Sequence, residues 1–218
     1  MSALPAVRSA LAVCAHPDDE SFGLGAVLST LDEAGSKVSA LSFTHGEAST
    51  LHAGGGDLAT IRAAEMVDAG DVLGLSHVEL LDYPDGALST VALDSLAAHV
   101  HHLARMAEAD LLLVFDDGGI TGHADHQRAT DAAMASASRL GLPVLAWALP
   151  LRVAARLNRE FATSFVGRHH HELDFSIAID RGRQLEAISR HHSQSTDNPV
   201  LWRRLDLLGP AEHLRYLT

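Results

Sequence analysis

The stretch LAVCAHPDDE, residues 11–20, joins an apolar run to a turn that carries a histidine, a proline and three carboxylates in succession. Short apolar runs of this kind are typical of buried strands, so the acidic residues would lie where a first strand ends. A dinucleotide-binding turn at this place would be rich in glycine, because its backbone N–H groups must approach a pyrophosphate. Three carboxylates would repel those phosphates. The turn therefore either caps the following helix, with Ser21 assisting, or holds a positive ion.

Apolar runs alternate with helix-period segments along the rest of the chain, which is the pattern of βαβ units and a parallel sheet. The predicted strands are 11–15, 38–43, 78–83, 110–116 and 144–150, and the predicted helices are about 21–35, 58–73, 94–107 and 125–140. Beyond Pro150 the pattern weakens, and we predict an irregular segment at 151–172, a strand at 175–179 and a helix at 180–192. We expect a single domain over 1–218, an α/β Rossmann-like three-layer sandwich. Its mainly parallel sheet would occupy the core, 9–150, and a small C-terminal extension would follow over 151–218.

The charge of the chain limits its partners. Sixteen Lys plus Arg against 28 Asp plus Glu give the 218 residues a net charge of −12. Such a surface would repel nucleic acid and anionic lipid, so no nucleic-acid partner is expected, and small neutral or cationic molecules and metal ions are favoured. No run approaches the roughly 20 apolar residues of a membrane span. Cys14 is the single cysteine, which rules out an internal disulfide. We interpret residues 1–15 as leading into the first strand of a cytoplasmic protein rather than as a signal peptide.

Histidines and carboxylates recur at the other predicted strand ends, which is where open α/β sheets bind ligands. In HADH, residues 123–126, the two histidines have the i, i+3 spacing of His16 and Asp19, which places each pair on one side of a helical turn. Two histidines and one carboxylate are a typical ligand set for catalytic zinc, with one position open for water. The same set suits Fe²⁺, so a metal site is predicted and zinc is favoured by its geometry.

The motifs together resemble the PIG-L/LmbE-like deacetylase family, which includes de-N-acetylases of glucosaminyl-inositol compounds and related thiol-pathway sugars. The resemblance rests on AHPDDE (15–20), THGE (44–47), IRAAE (61–65), GHADH (122–126) and HHSQ (191–194), in the family's order. Two positions depart from the family pattern. Ala124 stands where many relatives have proline, and Ile120-Thr121 occupy the place where some sugar deacetylases have a tyrosine, so no residue here matches an assisting phenol hydroxyl.

The resemblance implies a role for each matching residue. His16, Asp19 and His126 would bind the zinc, and Asp18 would be the general base for the attacking water. Asp18 and Asp19 would then be neighbours in the chain with different tasks.

Four further residues receive roles from the same resemblance. His123 would stabilise the tetrahedral oxyanion or protonate the leaving amine, and Asp125 would orient a histidine from behind. Arg62 and Asp85 match positions near the sugar, where they would bind substrate. A solvent-facing helix arginine and an ordinary turn aspartate are the alternatives for these two. The HHSQ segment either closes the cleft or caps the last helix.

These observations predict a metal-dependent hydrolase that removes an acyl group, acetyl above all, from the amide nitrogen of an amino sugar or its conjugate. The chemistry follows from the site, and the sugar follows from the resemblance alone. Two alternatives stay open: a zinc hydrolase of another small amide, as in antibiotic or conjugate processing, and a non-catalytic metal- or sugar-binding module. Asp18 argues against the module, because metal binding does not need it. The histidine-rich segment 168–173 is interpreted as a solvated loop, and a homo-oligomer is compatible with the sequence.

Overall fold

A central sheet flanked by helices is built from elements spread over the whole chain. The structure is a computed structural model that describes residues 4–51 and 56–217. The strands are β1 Ser9–Cys14, β2 Lys37–Thr44, β3 His77–Tyr83, β4 Leu111–Phe115, β5 Val144–Trp147, β6 Leu149–Pro150, β7 Gly167–Arg168, β8 Phe175–Ala178 and β9 Ala211–Leu217. The helices are α1 Asp19–Phe22, α2 Gly25–Glu33, α3 Leu58–Leu73, α4 Leu93–Met106, α5 Gly119–Gly122, α6 Ala124–Leu140, α7 Leu151–Phe161, α8 Gly182–Arg190, α9 His192–Ser195 and α10 Pro199–Leu208. Two short 3₁₀ turns lie at Leu88–Thr90 and His170–Glu172.

The main sheet has seven strands in the order β3-β2-β1-β4-β5-β9-β8. The first five strands of this order, from β3 through β2, β1 and β4 to β5, run parallel to one another. Strand β9 is antiparallel to both of its neighbours, β5 and β8. From β1 the chain continues to β2 and β3 on one side of the sheet, and from β4 it continues to β5 on the other side. The crevice between β1 and β4, at their carboxyl ends, is the position where α/β sheets of this kind bind ligands. The acidic turn follows β1, and the loop that leads to α6 follows β4. The α/β prediction with a mainly parallel sheet is confirmed.

Helices cover both faces of this sheet and give it three layers. The side chains of β1 alternate between two buried clusters: Ala10, Ala12 and Cys14 lie on one face, with apolar residues of α2 and α3, and Leu11 and Val13 lie on the other, with those of α4 and α6. All are at most 3% exposed. A strand buried on both faces reads as a continuous apolar run, which is why the sequence marked it clearly.

The segment predicted as irregular, 151–172, begins with the regular helix α7, and that prediction is wrong. Val153, Ala154 and Leu157 form a buried stripe on one side of α7 and join the core. The arginines between them lie on the opposite, more exposed side, so the helix is amphipathic. Val153, Ala154 and Leu157 already have helical spacing in the sequence, but the many arginines of this segment made it look irregular. The histidines at 169–171 are exposed, as expected for a solvated segment.

Two other differences concern helix ends and the C-terminal region. The predicted helix 21–35 is divided into α1 and α2, which are separated by Gly23 and Leu24, and the ring of Phe115 packs so closely against Gly23 that a Cβ there would collide with it. The predicted helix 180–192 is not the last element, because α10 and β9 follow it, and β9 inserts between β5 and β8. Across the described residues, none of the helices combines the length and the apolar character that crossing a membrane would need.

Candidate metal and active site

A cavity of about 390 Å³ opens at the carboxyl ends of the parallel strands. Seven of the eight residues predicted from the sequence line it: His16, Asp18, Asp19, Arg62, Asp85, His123 and His126. The remaining walls come from the loop after β2, residues 48–51, from Gly86 and from Gln194 near the C-terminal end. Asp125, the eighth, has no exposed surface and lies behind the cavity wall. Residues far apart in the chain therefore meet at one place.

Three side chains have the geometry of a metal ligand set. His16 Nδ1 lies 3.2 Å from His126 Nε2, and His126 Nε2 lies 3.2 Å from Asp19 Oδ1. His16 Nδ1 is 3.8 Å from Asp19 Oδ2. Ligand atoms placed tetrahedrally at about 2.1 Å from a zinc ion are roughly 3.3–3.4 Å apart. Two of these distances nearly match that spacing, the third is measured to the other Asp19 oxygen, and the three side chains are close enough together to hold one ion.

The contacts of the other ring nitrogens indicate which nitrogen of each histidine would face a metal ion. His126 Nδ1 lies 3.1 Å from the Gly119 carbonyl oxygen, which leaves Nε2 for the metal. His16 Nε2 lies 3.0 Å from Asp85 Oδ1 and 3.5 Å from Asp125 Oδ2, which leaves Nδ1. Partners of this kind orient metal-binding histidines and increase their basicity.

A second group of donors in the described residues, His16, His123 and Asp125, is also compact enough for an ion. It fits less well, because the two Asp125 oxygens already accept the backbone N–H groups of Gly86, at 2.8 Å, and Leu88, at 3.1 Å. This carboxylate ties the loop after β3 to the start of α6. The group with Asp19 is therefore the better candidate for holding a metal, and Asp125 is bonded to the backbone of the loop after β3.

The acidic turn directs its first two carboxylates to different places. Asp19 Oδ2 accepts the N–H groups of Ala15 and His16, both at 3.0 Å, and its other oxygen faces His126. Asp18 has φ 107° and ψ −26°, a conformation that costs a residue other than glycine about 1–3 kcal/mol. Its carboxylate lines the cavity and accepts a hydrogen bond from Arg62 Nη2 at 2.8 Å.

Arg62 is buried, with 3% of its surface exposed, so the solvent-facing alternative is wrong. Its guanidinium also donates to the carbonyl oxygens of Gly46 and Pro17. Gly46 has φ 66°, and a Cβ at this position would collide with the guanidinium. The glycine of the THGE motif is thus required by the close approach of Arg62. The arginine joins α3, the loop after β2 and the acidic turn.

The electrostatic environment separates the two aspartates. Burial raises the pKa of Asp18 to about 6, although Arg62 opposes this effect. Burial acts in the same direction on Asp19, but there His126 and His16 outweigh it and hold the pKa of the carboxyl far below its usual range. A carboxylate kept ionised suits a metal ligand. One that takes up protons near neutral pH suits proton transfer.

The histidines of the site also differ. Burial disfavours the charged form of His16, but Asp125 and Asp85 raise its pKa to about 10, so this position strongly favours positive charge. Burial together with His126 and His16 lowers the pKa of His123, which is thus held neutral. His123 Nδ1 accepts the Asp125 N–H at 3.2 Å. A neutral imidazole with that acceptor carries its proton on Nε2.

The sequence reasoning missed one buried pair beside the site. His191 Nε2 lies 2.6 Å from Glu20 Oε1, and neither side chain has exposed surface. Glu20 was considered only as a helix cap, and the HHSQ motif gave no indication of its partner 171 residues away. Gln194 of the same motif lines the cavity and accepts a hydrogen bond from Ser49 Oγ at 2.6 Å.

The fold is that of a Rossmann-like α/β protein, and two histidines and one aspartate form a candidate site for a divalent metal. Residues 11–137, more than half of the chain, match the family model described as PIG-L, GlcNAc-PI de-N-acetylase. The chain belongs to the PIG-L family.

Individual relatives agree with this assignment. A 1D-myo-inositol 2-acetamido-2-deoxy-alpha-D-glucopyranoside deacetylase of Salinispora arenicola is 31% identical over 152 residues, which cover 58% of this chain and 49% of that protein. The chain spans about half the length of the curated relatives it matches.

Two solved structures share the fold. The zinc-inhibited form of a teicoplanin deacetylase has a TM-score of 0.69 at 18% identity, covering 95% of this chain and 97% of that one. The 4-carboxy-2-hydroxymuconate hydratase of Pseudomonas putida has a TM-score of 0.74 at 17% identity, covering 97% and 96%. A deacetylase and a hydratase share this fold, so the fold alone does not determine the reaction, which depends on the residues of the site.

Proposed function

We propose that this protein is a zinc-dependent hydrolase that removes an acetyl group from the amide nitrogen of an amino sugar or its conjugate. The observation that carries the proposal is the different placement of the adjacent Asp18 and Asp19 carboxylates. One carboxylate completes a ligand set, and its neighbour faces the cavity with a raised pKa. A module that only stored or sensed a metal would have no use for the second carboxylate.

We favour zinc over Fe²⁺ because two imidazole nitrogens and one carboxylate oxygen, with one position left for water, are a typical ligand set of catalytic zinc. When bound, zinc would polarise the amide carbonyl and make water acidic enough to react near neutral pH. His16, Asp19 and His126 would hold it.

The remaining polar groups supply proton transfer and charge stabilisation. Asp18 would accept the proton of the attacking water, and its hydrogen bond to Arg62 keeps the carboxylate at the cavity wall. His123 Nε2 carries a proton that would donate a hydrogen bond to the oxygen that gains negative charge, and the proton that Asp18 takes from the water would pass to the leaving amine. Asp125 holds His16 and the start of α6 in place.

The charges around the cavity favour a neutral substrate. Among the described lining residues, Arg62 is the single Lys or Arg, and its guanidinium is already bonded to two carbonyl oxygens and Asp18. Asp18, Asp19 and Asp85 lie on the same wall. A phosphate on the substrate would find no free Lys or Arg among these lining residues, and the zinc would be engaged with the amide and water. Arg62 and Asp85 would contact sugar hydroxyls through the hydrogen-bonding capacity that their protein partners leave.

The decisive experiment measures acetate release from a panel of N-acetyl amino sugars and their conjugates, with and without a phosphate group. We expect turnover of neutral N-acetyl sugars, loss of activity on chelation and recovery on adding zinc. Asp18→Asn is the matched control for a folded, metal-loaded but inactive protein. Turnover of non-sugar amides alone would change the substrate class to another small amide. Full activity in protein shown by elemental analysis to be metal-free would refute the metal-dependent reaction.

A further inference from the structure

Asp18 has a positive φ of 107°, although it is not a glycine and this conformation is unfavourable for it. Neighbouring groups must therefore hold the backbone in that conformation. Its carbonyl oxygen accepts the N–H groups of Ser21, at 3.0 Å, and Phe22, at 2.6 Å. Its own N–H donates to Glu20 Oε2 at 2.9 Å. The hydrogen bond from the Asp18 N–H therefore depends on a side chain two residues later.

Glu20 is itself fixed on all sides. It has no exposed surface, and its Oε1 accepts hydrogen bonds from Ser21 Oγ at 2.7 Å and from His191 Nε2 at 2.6 Å. A carboxylate buried in this way needs a positive or hydrogen-bonded partner, and His191 is the partner that comes from outside the turn.

His191 is buried as completely as Glu20. It lies at the end of α8, is fully buried and packs edge-on against the ring of Phe22, with the ring centroids 5.7 Å apart. Two residues on, Ser193 donates through N and Oγ to the two Glu65 carboxylate oxygens of α3, at 2.8 and 2.6 Å. Helix α3 also carries Arg62, which binds the Asp18 carboxylate. The backbone and the side chain of Asp18 are thus held through two routes that join at α3.

We propose that Glu20 and His191 are positioning residues that hold the Asp18 backbone in the conformation that directs its carboxylate into the cavity. The inference rests on the proposed role of Asp18 and adds two residues that contact neither the donor atoms of the metal ligands nor the substrate. It also gives the C-terminal HHSQ segment a task in catalysis. A displacement of about 1 Å in a catalytic group can reduce the rate by roughly 10²-fold, so the loss of this support should be visible in kcat.

The test compares Glu20→Ala with the conservative Glu20→Gln. Alanine removes the acceptor of the Asp18 N–H, and kcat should fall roughly 10- to 100-fold with KM little changed and zinc still bound stoichiometrically. Glutamine keeps an oxygen for that N–H and can donate to Ser21 and His191, so it should restore most of the lost rate. His191→Gln, which retains a donor, should likewise exceed His191→Ala in kcat.

Asp110→Ala provides the matched control. Its carboxylate accepts the N–H groups of Arg8 and Ser9, both at 3.1 Å, and so supports the opposite end of β1 by the same kind of bond. We expect a loss of melting temperature without a change in kcat, and the loss should be smaller than in Glu20→Ala because the Asp110 side chain is 31% exposed. If kcat falls equally in both alanine variants, the role of Glu20 is merely structural. Unchanged kcat in zinc-loaded Glu20→Ala would overturn the inference while leaving the deacetylase proposal intact.

A second measurement does not need turnover. Amide hydrogen exchange at Asp18 should accelerate in Glu20→Ala and His191→Ala, because the N–H loses its acceptor or that acceptor loses its support. Exchange there should stay unchanged in Asp110→Ala. If Asp18 exchange were the same in every variant, the pair would not hold this backbone, whatever the wild-type protein hydrolyses. Absence of any acetate release by the wild type would instead contradict the proposed function.

Discussion

Replacing Asp18 and Asp19 separately by asparagine should give opposite phenotypes, although the residues are adjacent. The Asp18→Asn variant keeps the shape of the side chain and an oxygen that can accept from Arg62, but its amide cannot take a proton. Loss of a general base slows a reaction by roughly 10²- to 10⁴-fold, so kcat should fall by this factor while zinc stays stoichiometric. Because burial raises the pKa of Asp18 above its usual value, the ionised carboxylate is not itself stabilising, and we expect the neutral amide to leave the melting temperature close to that of the wild type.

The Asp19→Asn variant should lose metal because of the way its new amide must orient. Two backbone N–H groups, of Ala15 and His16, donate to Asp19 Oδ2 at 3.0 Å. The asparagine must place its oxygen there to avoid opposing donors, so its NH₂ group turns toward His126 and the ion. An amide NH₂ is not a metal ligand. Zinc affinity should fall by at least the roughly 10- to 100-fold that weaker, indirect changes at metal sites produce.

The assay combines elemental analysis with initial rates at increasing zinc concentration. Asp18→Asn should be loaded and slow at every concentration, and Asp19→Asn should be depleted of metal and recover part of its activity as zinc is added. An exchange of the two phenotypes would mean that the base and ligand assignments are reversed. If both variants kept wild-type rates and metal content, the acidic turn would serve only to begin α1, and the catalytic argument would fail.

Three further outcomes follow from the contacts of the site and of one distant histidine. His126→Ala should lose most bound metal, because two protein donors are too few, and tight stoichiometric zinc in this variant would require another third ligand. Asp85→Asn should weaken zinc binding about 10- to 100-fold in a chelator competition, since Asp85 Oδ1 lies 3.0 Å from His16 Nε2; unchanged affinity would limit Asp85 to the substrate. Burial, with Arg152, His170 and Arg181, lowers the pKa of His213 below 6.5, so the unfolded chain binds the proton more readily and the stability contributed by neutral His213 is lost as pH falls. His213→Gln should therefore reduce the fall in the urea midpoint between about pH 7 and pH 5, and an identical pH dependence in the variant would contradict this account.

The sequence predicted the parallel part of the fold because burial on both faces leaves an unambiguous pattern. Strand β1 is a continuous apolar run, and α3 was predicted with its observed bounds, 58–73. The C-terminal region was harder. Its strands β8 and β9 lie at the antiparallel side of the sheet with several half-exposed residues, and helix α7 mixes arginines with its apolar stripe. These elements lack the continuous apolar runs that identify the strands buried on both faces, because arginines and half-exposed residues stand between their apolar positions.

The candidate site was predictable as a set of residues but not as a set of contacts. Strand exits and i, i+3 spacing predicted one cluster of His16, Asp19, His123 and His126, and the family resemblance selected His126 as the third ligand. The partners of Arg62 were not predictable, because carbonyl oxygens and a turn aspartate give no sequence signal to a helix 44 residues away. The pair formed by Glu20 and His191 was hidden for the same reason.

The three successive carboxylates of the motif can now be explained individually. The simplest alternative was that they cap a helix, but α1 has only four residues and its N-cap residue, Asp18, makes no capping hydrogen bond through its side chain. Adjacent buried carboxylates repel one another, so they can remain ionised together only if each has its own partner. Asp18 has Arg62 from α3, Asp19 has His126 from α6, and Glu20 has His191 from the end of α8. Each partner comes from a different part of the chain. A turn that only began a helix would need none of these long-range contacts, whereas a turn that holds a metal ligand, a base and the support of that base requires all three.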